Sequence, residues 1–300
     1  NLMDAILAII IGEGSLLIMT AFLGIAAQKT GLNLSLISRY SYGSKGFIIP
    51  MAVMAILTFG WFANIVGMVA DIWGGFLGNP TGITVFSPSD WGYTGVADIT
   101  LEVLIAVIFW GVVFTVSAAR GMSAIEKIAN VVCPIILIVA LIAGVGMIMD
   151  GGGVGVFAQK AGKLGGLGIG TGINAIVGSW VAGAVMGVDM FRFNKSRKAV
   201  WWCAAACFVF TNPLLNFVGY IGSVTVEQYN YVAWMMGFSV ILALVAVFTW
   251  TTSLWTTDNS ELYCNSLYMG PIFDSLGMKV GRKPIVVVCG ILGTILGAIG

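Results

Sequence analysis

The chain contains no histidine among its 300 residues, and only 9% of it is charged. A soluble domain carries about 25% charged residues, so a water-covered surface is excluded. Without histidine, no Ser/His/Asp triad can be assembled, and the commonest metal ligand and general base is missing. The formal net charge of +1 gives nucleic acid nothing to bind. The five cysteines include no CxxC pair, and Cys133, Cys203, Cys207 and Cys289 fall in apolar runs, as buried small hydrophobes do. There is no Walker lysine pattern, no channel-like TVGYG filter, and no strand ahead of the glycine-rich 290–300 that would make it a dinucleotide fingerprint. What remains is apolar: 59% hydrophobic residues, 41 glycines and a mean hydropathy of +0.99. These features specify an all-α polytopic membrane protein.

A helix needs roughly 20 apolar residues to cross a bilayer. Eight segments qualify, at about 5–27, 47–77, 98–118, 124–149, 168–188, 198–221, 231–257 and 284–300. The apolar runs are continuous rather than alternating, so helices are expected and a β-barrel is not. Charge divides the connecting loops. One set holds Lys29, Arg39, Lys45, Arg120, Lys127, Arg192, Lys195, Arg197, Lys198, Lys279, Arg282 and Lys283, whereas the other holds only Lys160 and Lys163. The positive-inside rule places the first set in the cytoplasm, across a cytoplasmic (inner) membrane. The chain enters an apolar run at once and stops within another, so it is expected to be incomplete at both ends, with one further span preceding it in the simplest case.

Polar residues inside spans mark function more often than chance. Glu13, Asn64, Asp71, Asn174, Ser179 and Asp189 are such residues, although any one of them could reach interfacial water or a backbone carbonyl. The seventh span ends in a denser cluster running from Thr251 to Glu261. In it Ser253, Thr256 and Thr257 share one side of a helix by the i, i+3, i+4 rule, and their oxygens suit a hard cation. The fifth span, rich in glycine, permits either close helix packing or a break around Gly178, Ser179 and Trp180 that would expose backbone polar groups. Trp61 lies about 15 residues, or roughly 22 Å, into the second span. That depth is unlike an interfacial tryptophan, whereas Trp73, Trp91 and Trp110 fit the interfacial belt. Trp61 and Trp180 together suggest a slot for a planar ring, with packing alone as the plainer explanation.

Four stretches, in order, carry a resemblance: AQKTGLNLSLISRYSYGSKG at 27–46, GWF at 60–62, VGSWVAGAVMGVDMFRF at 177–193 and LWTTDNSELY at 254–263. The pattern resembles the nucleobase–cation symporters, and bacterial cytosine permeases within them, over essentially the whole chain. The resemblance implies twelve helices on a five-plus-five inverted repeat, of which this chain holds helices 2 to 9. It implies a monomeric carrier that moves a small planar heterocycle together with sodium, with no cofactor beyond that coupling ion. It implies that Trp61 and Trp180 stack on the substrate ring and that Ser179 bonds its edge. Ser253, Thr256 and Thr257 would hold sodium, the first through its carbonyl. Asp258 stands where cytosine permeases have Asn, Thr58 where they have Gln, and Trp180 where they have Phe. Asp258 could accept from ring N–H groups, strengthen cation binding or carry a coupling proton, and Asn64 could supply an amide contact one turn beyond Trp61. A proton-coupled purine or hydantoin-like permease is the alternative.

Overall fold

The computed structural model describes residues 2–92, 98–163 and 168–299, with all side chains in these ranges except those of residues 91, 122–125, 128 and 163. The expected external cation Lys163 and the interfacial Trp91 therefore fall outside the described side chains. In chain order the helices are α1 (Leu2–Thr30), α2 (Leu34–Gly46), α3 (Ile48–Leu77), α4 (Leu101–Arg120), α5 (Met122–Asp150), α6 (Val154–Lys163), α7 (Ile169–Phe191) and α8 (Arg197–Ala205), followed by α9 (Asn212–Thr225), α10 (Tyr231–Met236), α11 (Val240–Ser275) and α12 (Arg282–Gly297). A π-helical stretch, Ala206–Thr211, joins α8 to α9. Seven helical stretches among the described residues are long and apolar enough to cross a membrane. Inside lipid every backbone N–H and C=O must be bonded within the protein, which a continuous helix achieves by itself. The protein is thus a predominantly helical, polytopic membrane protein.

The eighth expected span corresponds to α12 (Arg282–Gly297). The seventh is displaced: Ser239 caps α11 by accepting from the Leu242 N–H at 3.3 Å, and the helix runs on to Ser275 instead of ending near 257. The all-α architecture holds a single small ornament among the described residues. A short antiparallel pair, β1 (Thr84–Phe86) and β2 (Ile99–Thr100), lies between α3 and α4. Glu102 ties this loop down by accepting from the Thr81 N–H at 3.1 Å and the Thr81 hydroxyl at 2.8 Å.

The chain divides into two compact units, Asn1–Ser41 with Leu137–Met235, and Tyr42–Ile136 with Met236–Gly300. Lipid tails are as apolar as leucine, so helices in a bilayer gain by close packing and internal polar contacts instead of by leaving water. Glycine supplies the closeness. In the first unit α1 packs on α7, where a Cβ at Gly12 would come within 2.9 Å of Ile176 and one at Gly172 within 2.8 Å of Ala8. In the second unit α3, α4, α11 and α12 surround a core of Phe62, Val66, Val69, Val107, Phe114, Leu262 and Val286. There α4 and α12 meet through a reciprocal pair: Gly111 lies under Thr294 and Gly290 under Thr115. At the end of α4 the left-handed Gly121 (φ 91°) turns the chain into α5.

The contact predicts its own sensitivity. Gly290→Val, which drives a side chain into Thr115, should lower the stability of the full-length protein by about 1–3 kcal/mol. Thermal unfolding in detergent measures this, and an unchanged midpoint would show that the two helices can separate freely.

Candidate substrate and coupling-ion residues

In the second unit, α11 carries the densest polar row. Its residues Asp258, Asn259, Glu261 and Asn265 are all buried. Antiparallel packing on α3 places Asn265 beside Thr58, and the Asn265 amide donates to the Ala55 carbonyl at 2.7 Å and to the Thr58 hydroxyl at 3.0 Å. That hydroxyl in turn donates to the Met54 carbonyl at 2.8 Å. Thr58 is wholly buried, so it acts here as a clamp between α3 and α11 and offers a ligand no free group. Asn259 donates to the Ser117 hydroxyl of α4 at 2.9 Å. The result is an α11 held on two sides by side-chain amides.

Asp258 is different. It is fully buried, and neither carboxylate oxygen has a hydrogen-bond partner among the described residues. Glu261, one turn on, is 5% exposed and also has an oxygen unpartnered among the described residues. An ionised carboxylate without partners in such a place costs several kcal/mol, and a proton or a cation removes that cost.

Ser253, Thr256 and Thr257 lie on the preceding turn, all half-buried. The Thr256 hydroxyl donates to the Ser253 carbonyl at 2.7 Å. Two of the three oxygens expected to hold a cation are therefore bonded to one another. Trp61 is half-buried on α3, and Asn64, exposed, follows one turn later on the same side. Trp73 and Trp110 do not stand as isolated interfacial anchors. Their rings lie 5.7 Å apart in a cluster with Phe248 and Phe114, and the Trp73 indole donates to the Thr251 hydroxyl at 2.9 Å.

In the first unit Trp180 is 39% exposed and meets Phe208 edge-on at 6.5 Å. Of the two alternatives for the fifth span, the break at 178–180 is absent, since α7 is continuous through these residues. The Ser179 hydroxyl donates back to the Ile176 carbonyl at 2.9 Å, as a serine within an intact helix does. Two glycines of α7 serve packing: Gly172 admits Ala8, and Gly187 admits Thr20.

Sequence reasoning noted Glu13 but missed its partners. Asn216 donates to it at 2.9 Å and Asn212 at 3.5 Å. The two asparagines are one helical turn apart, directly after the π-helical stretch. Their i, i+4 spacing around Pro213 was the available signal. Asp189, expected merely near a span end, is buried and accepts from the Leu34 N–H at 3.1 Å, so it helps to start α2.

With this geometry in place, comparison with known proteins is direct. The family described as permease for cytosine/purines, uracil, thiamine, allantoin matches residues 1–299. The chain is 29% identical over 300 residues to the cytosine permease of Escherichia coli strain K12, an alignment covering 97% of this chain and 62% of that protein. The cytosine permease of Escherichia coli O157:H7 matches with the same identity and coverage. The chain therefore spans about 62% of the length of these curated relatives. A permease family, and no enzyme family, accounts for nearly every residue, and the chain belongs to the cytosine/purine permease family.

Proposed function

We propose that the full-length protein is a proton-coupled permease for a planar nucleobase or related heterocycle. Membership of a permease family and the names of its cytosine-permease relatives support the substrate class. The observation that carries the coupling is Asp258, a buried carboxyl with both oxygens unpartnered on the helix that also bears Thr256 and Thr257. Protonated, it can donate to a ring nitrogen or carbonyl; ionised, it can accept from a ring N–H. Loading it with a proton thus makes substrate binding and charge state interdependent.

In this reading Trp61 and Trp180 offer aromatic faces to the ring, while Ser179 and Asn64 contact its edge. The helices stand as the second to ninth of a twelve-helix, five-plus-five inverted repeat. Alternating access moves one helix bundle against the other, in a monomer of the cytoplasmic membrane with its Lys- and Arg-rich loops inside. Sodium is the second reading. The neighbouring hydroxyls of Thr256 and Thr257 favour it, with Ser253 contributing the second lone pair of its carbonyl.

Uptake by full-length protein in proteoliposomes decides between the two. A pH gradient without sodium should drive accumulation of radiolabelled cytosine or adenine. Uptake that needs sodium and ignores an uncoupler would replace the proton with sodium. Asp258→Asn should retain substrate counterflow while losing accumulation driven by the pH gradient; unaltered accumulation would remove Asp258 from coupling. Trp61→Ala and Trp180→Ala should each weaken ligand binding about tenfold, within the usual worth of base–aromatic stacking. Normal binding of the same ligand by both variants would eliminate the stacking slot.

A further inference from the structure

The second unit carries a groove of about 850 Å³ formed by α4 and α12, away from the polar row of α11. Its floor is the reciprocal glycine–threonine contact of Gly111 with Thr294 and Gly290 with Thr115. That contact draws the two backbones together, so the longer side chains flanking it stand apart as walls. On α4 the wall is Ile108, Val112 and Val116; on α12 it is Val287, Ile291 and Ile295. Each set repeats every fourth residue, and all six side chains are exposed.

Each wall ends in a cation, and at the same end of the groove. Arg120 continues the α4 row, and Lys283 begins the α12 row. Between them Arg282 is anchored: its guanidinium donates to the Ala118 and Ala119 carbonyls at 3.1 and 2.9 Å and sits 5.3 Å from the Tyr263 ring centre. No acidic side chain lines the groove. The α4 wall from Ile108 to Arg120 is about 18 Å long at 1.5 Å per residue, close to half of a ~30 Å hydrocarbon core.

We propose that this groove binds an anionic phospholipid of the cytoplasmic leaflet, with its acyl chains along the α4 and α12 walls and its phosphate at Arg120, Arg282 and Lys283. The positive-inside reading puts the basic end at that leaflet, where anionic headgroups gather and basic pockets between helices capture them. A protein helix laid in the groove would have to bring acidic side chains to Arg120 and Lys283. An acyl chain with a phosphate at one end satisfies both the apolar length and the basic terminus.

The test uses full-length protein in detergent, with phosphatidylglycerol and phosphatidylcholine of matched chains, read by native mass spectrometry. Phosphatidylglycerol should be retained in preference. The Arg120→Gln/Lys283→Gln double variant, which leaves Arg282 on its carbonyls, should bind it about 25-fold more weakly, from roughly fivefold per basic residue. Ile291→Trp, which fills the groove, should weaken binding of both lipids. Equal affinity for the two lipids, or an unchanged preference in a folded double variant, would overturn the proposal. A photoactivatable phosphatidylglycerol gives a check on the unmodified protein: cross-links should map to residues 101–120 and 282–297. Cross-links confined to other helices would mean that something else covers the groove.

Discussion

Close approach of helix backbones is the interaction on which the rest of this structure depends. In lipid, burying a leucine against another leucine gains little, because the tails it leaves are equally apolar. What a helix pair gains is dispersion over a closely matched surface, together with any polar contact it encloses. Glycine makes that approach possible at α1 against α7, at α3 against α12, where Gly67 would meet the Gly297 carbonyl at 3.1 Å, and at α4 against α12. Glycines that look like flexibility in the composition are, at these helix crossings, contact surface.

Once backbones are close, side-chain amides can reach across. Asn265 spans from α11 to α3, Asn259 from α11 to α4, and Asn212 and Asn216 from α9 to α1. Each bridge fixes a helix in rotation as well as in position, because a hydrogen bond has a direction and dispersion does not. The polar row of α11 is thereby presented in a defined orientation. Within that row Asp258 is the member with both carboxylate oxygens unpartnered among the described residues.

The spans were legible in the sequence because continuous apolar runs have one solution in lipid. The expected 47–77 and 124–149 agree with α3 and α5 to within a few residues. The misplacement of α11 has a physical cause. Polar text from Thr251 to Glu261 reads as the end of a span only if those side chains face water, and here Thr251 meets α3 and Asn259 meets α4. Partners more than a hundred residues away leave no trace in local hydropathy. The same reason hid the asparagine partners of Glu13. The π-helical stretch at Ala206–Thr211 adds one residue to a turn without changing the composition, so no periodicity announces it. The alternative of a break in α7 failed for the opposite reason: glycine lowers helix propensity, but a helix held by its neighbours and by its own hydrogen bonds overrides that preference.

The carboxyl and the hydroxyls of α11 represent two different ways of coupling an ion to a solute. A cation site made from Ser253, Thr256 and Thr257 would act by joining helices, since several oxygens must converge on one point. The Thr256 hydroxyl already donates to the Ser253 carbonyl, and each of these oxygens keeps a lone pair that a cation could use. A proton needs no convergence: in the proposed reading it binds one oxygen of Asp258 and turns an acceptor into a donor. In the proposed reading, an Asp at position 258 would bear on coupling as well as on recognition. An amide presents fixed donors and acceptors, whereas a carboxyl exchanges one for the other each time it takes up or releases a proton.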